Sequence, residues 1–254
     1  MADYRPEALV ARGTLADVYR ASSSRGPVVL KVLRPEHRAS AAHRLMLLDE
    51  GELLARLEHP NLVRCLDVLE PIPALVLEAV TGSTVEALLA ARRPPPTTAL
   101  RVARGVAAAL ACLHARGVVH HGVLPGNVML TPLGRVVLLD LGHGEWPGRR
   151  VTITRRPSLD NVPYACPELW EGQRVGAPGD VYRLGVLLAH LCTGRPPALA
   201  GRARLGERHP GVVMPRGLPG DLAALLARLT ARAPGERPAA AEARDALATI
   251  AVSP

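Results

Sequence analysis

The feature that most limits how this chain can fold is a change of character near residue 80. Before it, short β-prone runs at Asp17-Val18-Tyr19, Pro27–Leu33, Leu62–Leu69 and Ala74–Val80 alternate with Gly, Pro and Ser turns. One helical stretch interrupts them, Ser40–Leu57, with Leu45, Leu48, Leu53, Leu54 and Leu57 at helical spacing. After it, helices dominate. Ser83-Thr84-Val85-Glu86 reads as a capping box opening a short helix that stops before Pro94-Pro95-Pro96. Thr98–Arg116 is an Ala-rich helical pattern closed by Gly117. Two brief strands are expected at Val128–Leu130 and Val136–Leu139, then helices at Asp180–Thr193, Asp221–Ala231 and Ala239–Ile250. The pattern predicts an α+β, bilobal architecture: a small β-rich lobe over residues 1–80 and a larger helical lobe over residues 81–254.

Composition matters where it excludes function classes. With 48% hydrophobic residues in 254, the chain can bury a core, and no apolar run approaches the length of a membrane span. Met1–Val10 lacks a signal-peptide pattern, and the four cysteines show no metal or disulfide spacing, so reduced thiols and a cytoplasmic location are expected. The net charge of +8 is spread over isolated arginine doublets (Arg92-Arg93, Arg149-Arg150, Arg155-Arg156) with no interleaved aromatics, so no nucleic-acid partner is expected. Of 31 Lys plus Arg, only Lys31 is lysine. A lone lysine among arginines points to a compact point charge, as on a phosphate.

Three longer motifs stand in order along the chain: Leu57-Glu58-His59-Pro60-Asn61-Leu62-Val63, Leu113–His120, and Asp180–Leu187 followed by Thr193-Gly194-Arg195-Pro196-Pro197. Their order and spacing resemble the protein kinase fold, specifically the bacterial eukaryotic-like serine/threonine kinases, over about residues 9–250. The resemblance implies ATP with Mg²⁺ or Mn²⁺ as ligands. It makes Lys31 the phosphate-pairing strand lysine and Glu50, nine residues before His59, its helix partner. Asp140, in Asp140-Leu141-Gly142, and Asn127 become the metal ligands. Gly13, Val18, Val29, Glu78, Val80 and Met129 fall at the remaining nucleotide-facing positions, and Glu168 and Arg237 at a structural ion pair.

The same resemblance exposes departures. The catalytic loop reads His120-His121-Gly122-Val123-Leu124-Pro125-Gly126-Asn127, so Gly122 stands at the position of the proton-accepting aspartate and Leu124 at that of the lysine. A lost general base costs about 10²- to 10⁴-fold in rate. Asn161-Val162 replaces the family's substrate-loop Thr-Pro. His121 stands one residue before the base position, and Ala11 and Ala16 replace two of three loop glycines. The phosphoacceptor side is dismantled while the phosphate and metal side is retained. The expectation is a pseudokinase that regulates or scaffolds a protein partner such as an active kinase. The alternatives are residual phosphotransferase or ATPase activity, and a nucleotide-free interaction domain. Thr152, Thr154 and Ser158, the last after Arg155-Arg156-Pro157, are candidate sites for modification by a basophilic kinase.

Overall fold

A computed structural model describes residues 3–70, 72–150, 159–201 and 206–251. Five strands form the first antiparallel sheet: β1 (Tyr4–Arg12), β2 (Ala16–Ser23), β3 (Gly26–Leu33), β4 (Cys65–Leu69) and β5 (Ala74–Glu78), in the order β1-β2-β3-β5-β4. Helix α1 (Ala41–Ala55) lies against one face of it, and Ser40 caps that helix by accepting the His43 N–H. Leu15, Leu33, Met46, Leu47 and Leu75 fill the space between sheet and helix. Register fixes what that face presents: Val18 pairs with Lys31, Arg20 with Val29 and Lys31 with Leu75. Alternation along each strand then places Val18, Val29 and Lys31 on one side.

The second part is helical around a small sheet of β6 (Ser83–Thr84), β7 (Val128–Leu130) and β8 (Val136–Leu138). Its helices are α2 (Val85–Ala91), α3 (Pro96–His114), α4 (Pro167–Trp170), α5 (Ala177–Thr193), α6 (Gly220–Leu229) and α7 (Ala240–Thr249). Along α3, Ala99, Val102, Ala103, Val106, Leu110 and Leu113 are buried at the three-and-four spacing of one helix face, against the core side chains of α5. The helix ends where Gly117, at φ +71°, donates to His114 O while Val118 donates back to Leu113 O.

Of the differences from expectation, three have a clear local cause. The prolines expected only to stop α2 also open α3, with Pro96 in the first turn, where a missing N–H costs nothing. Ser83 is used by strand pairing with Leu130, so the α2 cap is Thr84, which accepts the Ala87 N–H at 3.1 Å. β1 stands where sequence pattern shows no strand, because eight of its nine residues are exposed and no alternation marks it. Thr152, Thr154 and Ser158 lie outside the described residues. Among the described residues no helix is long and apolar enough to cross a membrane.

Candidate functional site

The site forms where β3, α1 and the segment after β8 meet. Lys31 projects from β3 and donates to both Glu50 oxygens, at 2.8 and 2.7 Å, and to Asp140 Oδ1 at 2.6 Å. Glu50 is 1% exposed and also accepts the Leu141 N–H at 3.2 Å. One ammonium therefore joins the sheet, the helix and the loop. Burial disfavours the Lys31 cation, but Asp140 and Glu50 outweigh it and hold its pKa above the ordinary lysine range. Burial would likewise raise Asp140, yet Lys31, with His143 and the Gly142 N–H, keeps it well below the usual carboxylate range. Glu50 is pushed up by burial, with Lys31 opposing.

Two backbone features shape the cluster. Asp140 sits at φ +64°, a conformation non-glycine residues seldom adopt, and its neighbours hold it there. Gly142 closes the back: a Cβ there would lie 3.0 Å from Asp140 Oδ1, 3.2 Å from Glu50 Oε2 and 3.3 Å from Lys31 Nζ. Behind it Leu141 is buried in the main core.

The catalytic-loop segment is organised from α5. Asp180, fully buried, accepts the backbone N–H of His120 at 2.7 Å and of His121 at 2.8 Å, and His114 Nε2 donates to it at 3.1 Å. Burial would raise its pKa, but the His114 hydrogen bond and Arg183 bring it down to about 2. His120 accepts the Gly122 N–H on Nδ1 and donates from Nε2 to Leu139 O. Burial lowers its pKa, and Nδ1, as the acceptor of the Gly122 N–H, carries no proton. Asn127 donates from Nδ2 to Gly122 O at 2.9 Å, which leaves its Oδ1 as the group able to face a cation. The Leu139 N–H donates to Asn127 O at 2.8 Å and ties Asn127 to the residue before Asp140.

The remaining predicted residues divide. Gly122 is buried, and a Cβ there would meet Asn127 Nδ2 at 3.2 Å and His120 Nδ1 at 3.3 Å. Leu124 packs against the main core, as does Val80. His121 turns its Nε2 toward Glu145 Oε2, 3.7 Å away. Met129 lies half-buried on β7 opposite Thr84 and Val137. Glu78 does not join the cluster through its side chain: Arg135 binds its carboxylate at 2.8 and 3.1 Å, and the Arg64 N–H at 3.1 Å. Gly13 donates to Ala16 O at 3.0 Å in the β1–β2 turn, where a Cβ would come within 2.6 Å of that oxygen. Arg34 and His37 bind the carbonyls of Gly13 and Thr14 and hold the turn to the β3–α1 connection. Sequence reasoning missed Asp180 as the loop's anchor and Asp49 beside Glu50; burial of an acidic side chain leaves no local pattern.

The donor set fits a hard cation only in company. Among the described residues no three His, Cys, Asp or Glu side chains converge on one point. Asp140 and Asn127 offer two side-chain oxygens that would suit Mg²⁺ held by nucleotide phosphates, which takes only one or two protein ligands.

A strand lysine bound to a helix glutamate and a loop aspartate, between a five-stranded sheet and a helical lobe, defines a protein kinase fold. The protein kinase domain profile matches residues 4–246, and the chain belongs to that family. It is 34% identical over 200 residues to a probable serine/threonine-protein kinase of Streptomyces coelicolor, covering 74% of this chain and 30% of that one. With serine/threonine-protein kinase PkaB of the same organism it shares 32% over 264 residues, 94% of this chain and 61% of the relative. With PknD of Mycobacterium tuberculosis the identity is 31% over 262 residues, 95% and 39% of the two chains. The chain therefore spans between about a third and three fifths of the length of these relatives.

Proposed function

We propose that this kinase domain is a pseudokinase: it binds ATP with Mg²⁺ or Mn²⁺ and acts through a protein partner in bacterial serine/threonine kinase signalling rather than by phosphoryl transfer. The observation that carries this reading is a contrast within one cleft. Lys31, Glu50 and Asp140 are assembled at hydrogen-bond distance, whereas Gly122 and Leu124 present no ionisable group where a hydroxyl would have to lose its proton. His121 does not replace the base, because its ring is directed at Glu145. In the bound state Lys31 would neutralise phosphate oxygens, and Asp140 with Asn127 Oδ1 would hold the cation. The cation's part is to gather the phosphates; Glu50 keeps Lys31 aimed at them.

Loss of the base alone leaves phosphotransfer at least about 10²-fold below an active relative. The test is thermal unfolding against ATP, with and without Mg²⁺ or Mn²⁺. Ligand at about 100 times its Kd stabilises by about 2.7 kcal/mol. Cation-dependent stabilisation supports the reading, and none at millimolar ATP favours the nucleotide-free interaction domain. Turnover that disappears in Asp140→Ala would support residual phosphotransferase or ATPase activity instead.

A further inference from the structure

The Arg149-Arg150 doublet looks composition-driven in the sequence, but the structure gives both residues specific partners. Arg150 donates from its backbone N–H to Asp49 Oδ2 at 2.9 Å, from Nε to Asp49 Oδ1, and from Nη2 to Glu52 Oε1 at 2.8 Å. Asp49 is 4% exposed, whereas the Arg150 and Glu52 side chains are 44% and 51% exposed, so the contact is anchored at its buried Asp49 end. Asp49 and Glu52 lie on α1 on either side of Glu50. Arg149 reaches the opposite way. Its guanidinium donates to Gly144 O and, at 2.8 Å, to Gly142 O, and lies 4.5 Å from the Trp146 ring centre. Gly142 is the residue against which Lys31, Glu50 and Asp140 are packed.

We infer that Arg149 and Arg150 are positioning residues that clamp the segment after Asp140 onto α1, holding Glu50 against Lys31. Two adjacent residues thereby grip both walls of the ion cluster. Each planar guanidinium spans two separate acceptors, Asp49 and Glu52 for Arg150 and the Gly142 and Gly144 carbonyls for Arg149, which fixes the direction of approach in a way a single ammonium would not. The Leu141 N–H to Glu50 hydrogen bond and core packing also join the helix to this segment. The clamp's value to nucleotide binding rests on the reading proposed above, but its geometry does not.

Because Lys31 is the only lysine, amine acylation reports on it directly, with the terminal amine as internal control. A small N-hydroxysuccinimide ester, followed by peptide mass spectrometry, measures how well the two carboxylates shield Lys31 without any nucleotide present. Arg150→Ala is expected to raise the Lys31 acylation rate about tenfold through local opening of α1. Arg150→Lys is expected to give an intermediate rate, and Arg92→Ala, in another exposed doublet, none. A melting temperature lowered by Arg150→Ala with Lys31 protection unchanged would show a merely structural role and overturn the inference, as would an equal rise in Arg92→Ala. A wild-type chain without ATP stabilisation whose Lys31 is nonetheless unmasked by Arg150→Ala would keep the clamp and remove the nucleotide reading.

Discussion

Replacing Lys31 by Met leaves two carboxylates facing each other across the space the ammonium occupied. Glu50 keeps one hydrogen bond of three, that from the Leu141 N–H at 3.2 Å, at 1% exposure. Breaking a buried ion pair from one side costs about 3–5 kcal/mol. The Asp140 side chain is 34% exposed and can be rehydrated, which places the loss near the lower end, about 3 kcal/mol. A domain stable by about 5–15 kcal/mol remains folded after such a loss. The pH dependence separates this account from lost packing. In the wild type, Asp140 is held below its unfolded value, so its contribution is present above about pH 4 and fades as pH falls. In the variant, Glu50 is already raised by burial and loses the opposing cation, so its folded pKa stands further above the unfolded value of about 4.3. An acid raised in that way is best tolerated protonated and destabilises increasingly as pH rises. The Asp140 contribution is constant above about pH 4, so over the range measured the gap between wild type and Lys31→Met changes through Glu50: it is largest at pH 7 and narrows toward pH 4.5. Urea unfolding at pH 7, 5.5 and 4.5 measures it. A gap below about 1 kcal/mol at pH 7, or one that does not change with pH, would refute the reasoning.

Asp140→Asn should leave the fold intact and remove the Mg²⁺ or Mn²⁺ dependence of ATP stabilisation, measured by thermal shift; Lys31→Met should abolish the ATP effect itself. Asp180→Asn should destabilise by about 3 kcal/mol at neutral pH, since it weakens the acceptor for two backbone N–H groups in a fully buried place. Because the Asp180 pKa falls to about 2, its contribution is present above about pH 4 and lost as pH drops through about 2, so the variant's acid-unfolding curve should be flatter there. Gly122→Ala should lower stability by about 1 kcal/mol in urea, its Cβ being 3.2 Å from Asn127 Nδ2. Radiolabelled phosphotransfer to peptide or protein should stay at least about 10²-fold below an active relative.

Much of this site is legible through the resemblance to protein kinases, whose motifs place these residue types at fixed offsets. Lys31, Glu50 and Asp140 carry the only lysine, a helix acid at a set distance from His59, and a carboxylate 13 residues after Asn127. Their meeting is a consequence of strand register and helix placement that pattern alone does not state. Other features leave no local trace. Asp180 acts on backbone N–H groups about 60 residues away, so nothing near it in sequence marks its role. Asp49 reads as an ordinary helix acid until Arg150, 101 residues later, is laid beside it. The resemblance places Glu78 at a nucleotide-facing position, and nothing nearby in sequence marks Arg135, whose guanidinium binds its carboxylate. β1 escapes because an exposed strand shows no alternation.

The most direct measurement of the central claim is a phosphorus NMR spectrum of ATP and Mg²⁺ held with an equimolar amount of the protein over many hours. The account predicts that the three phosphate resonances shift and broaden on binding, that they do not in Lys31→Met, and that neither ADP nor a phosphoprotein signal accumulates. Resonances unmoved by the wild-type chain, or steady conversion of the γ-phosphate, would contradict it.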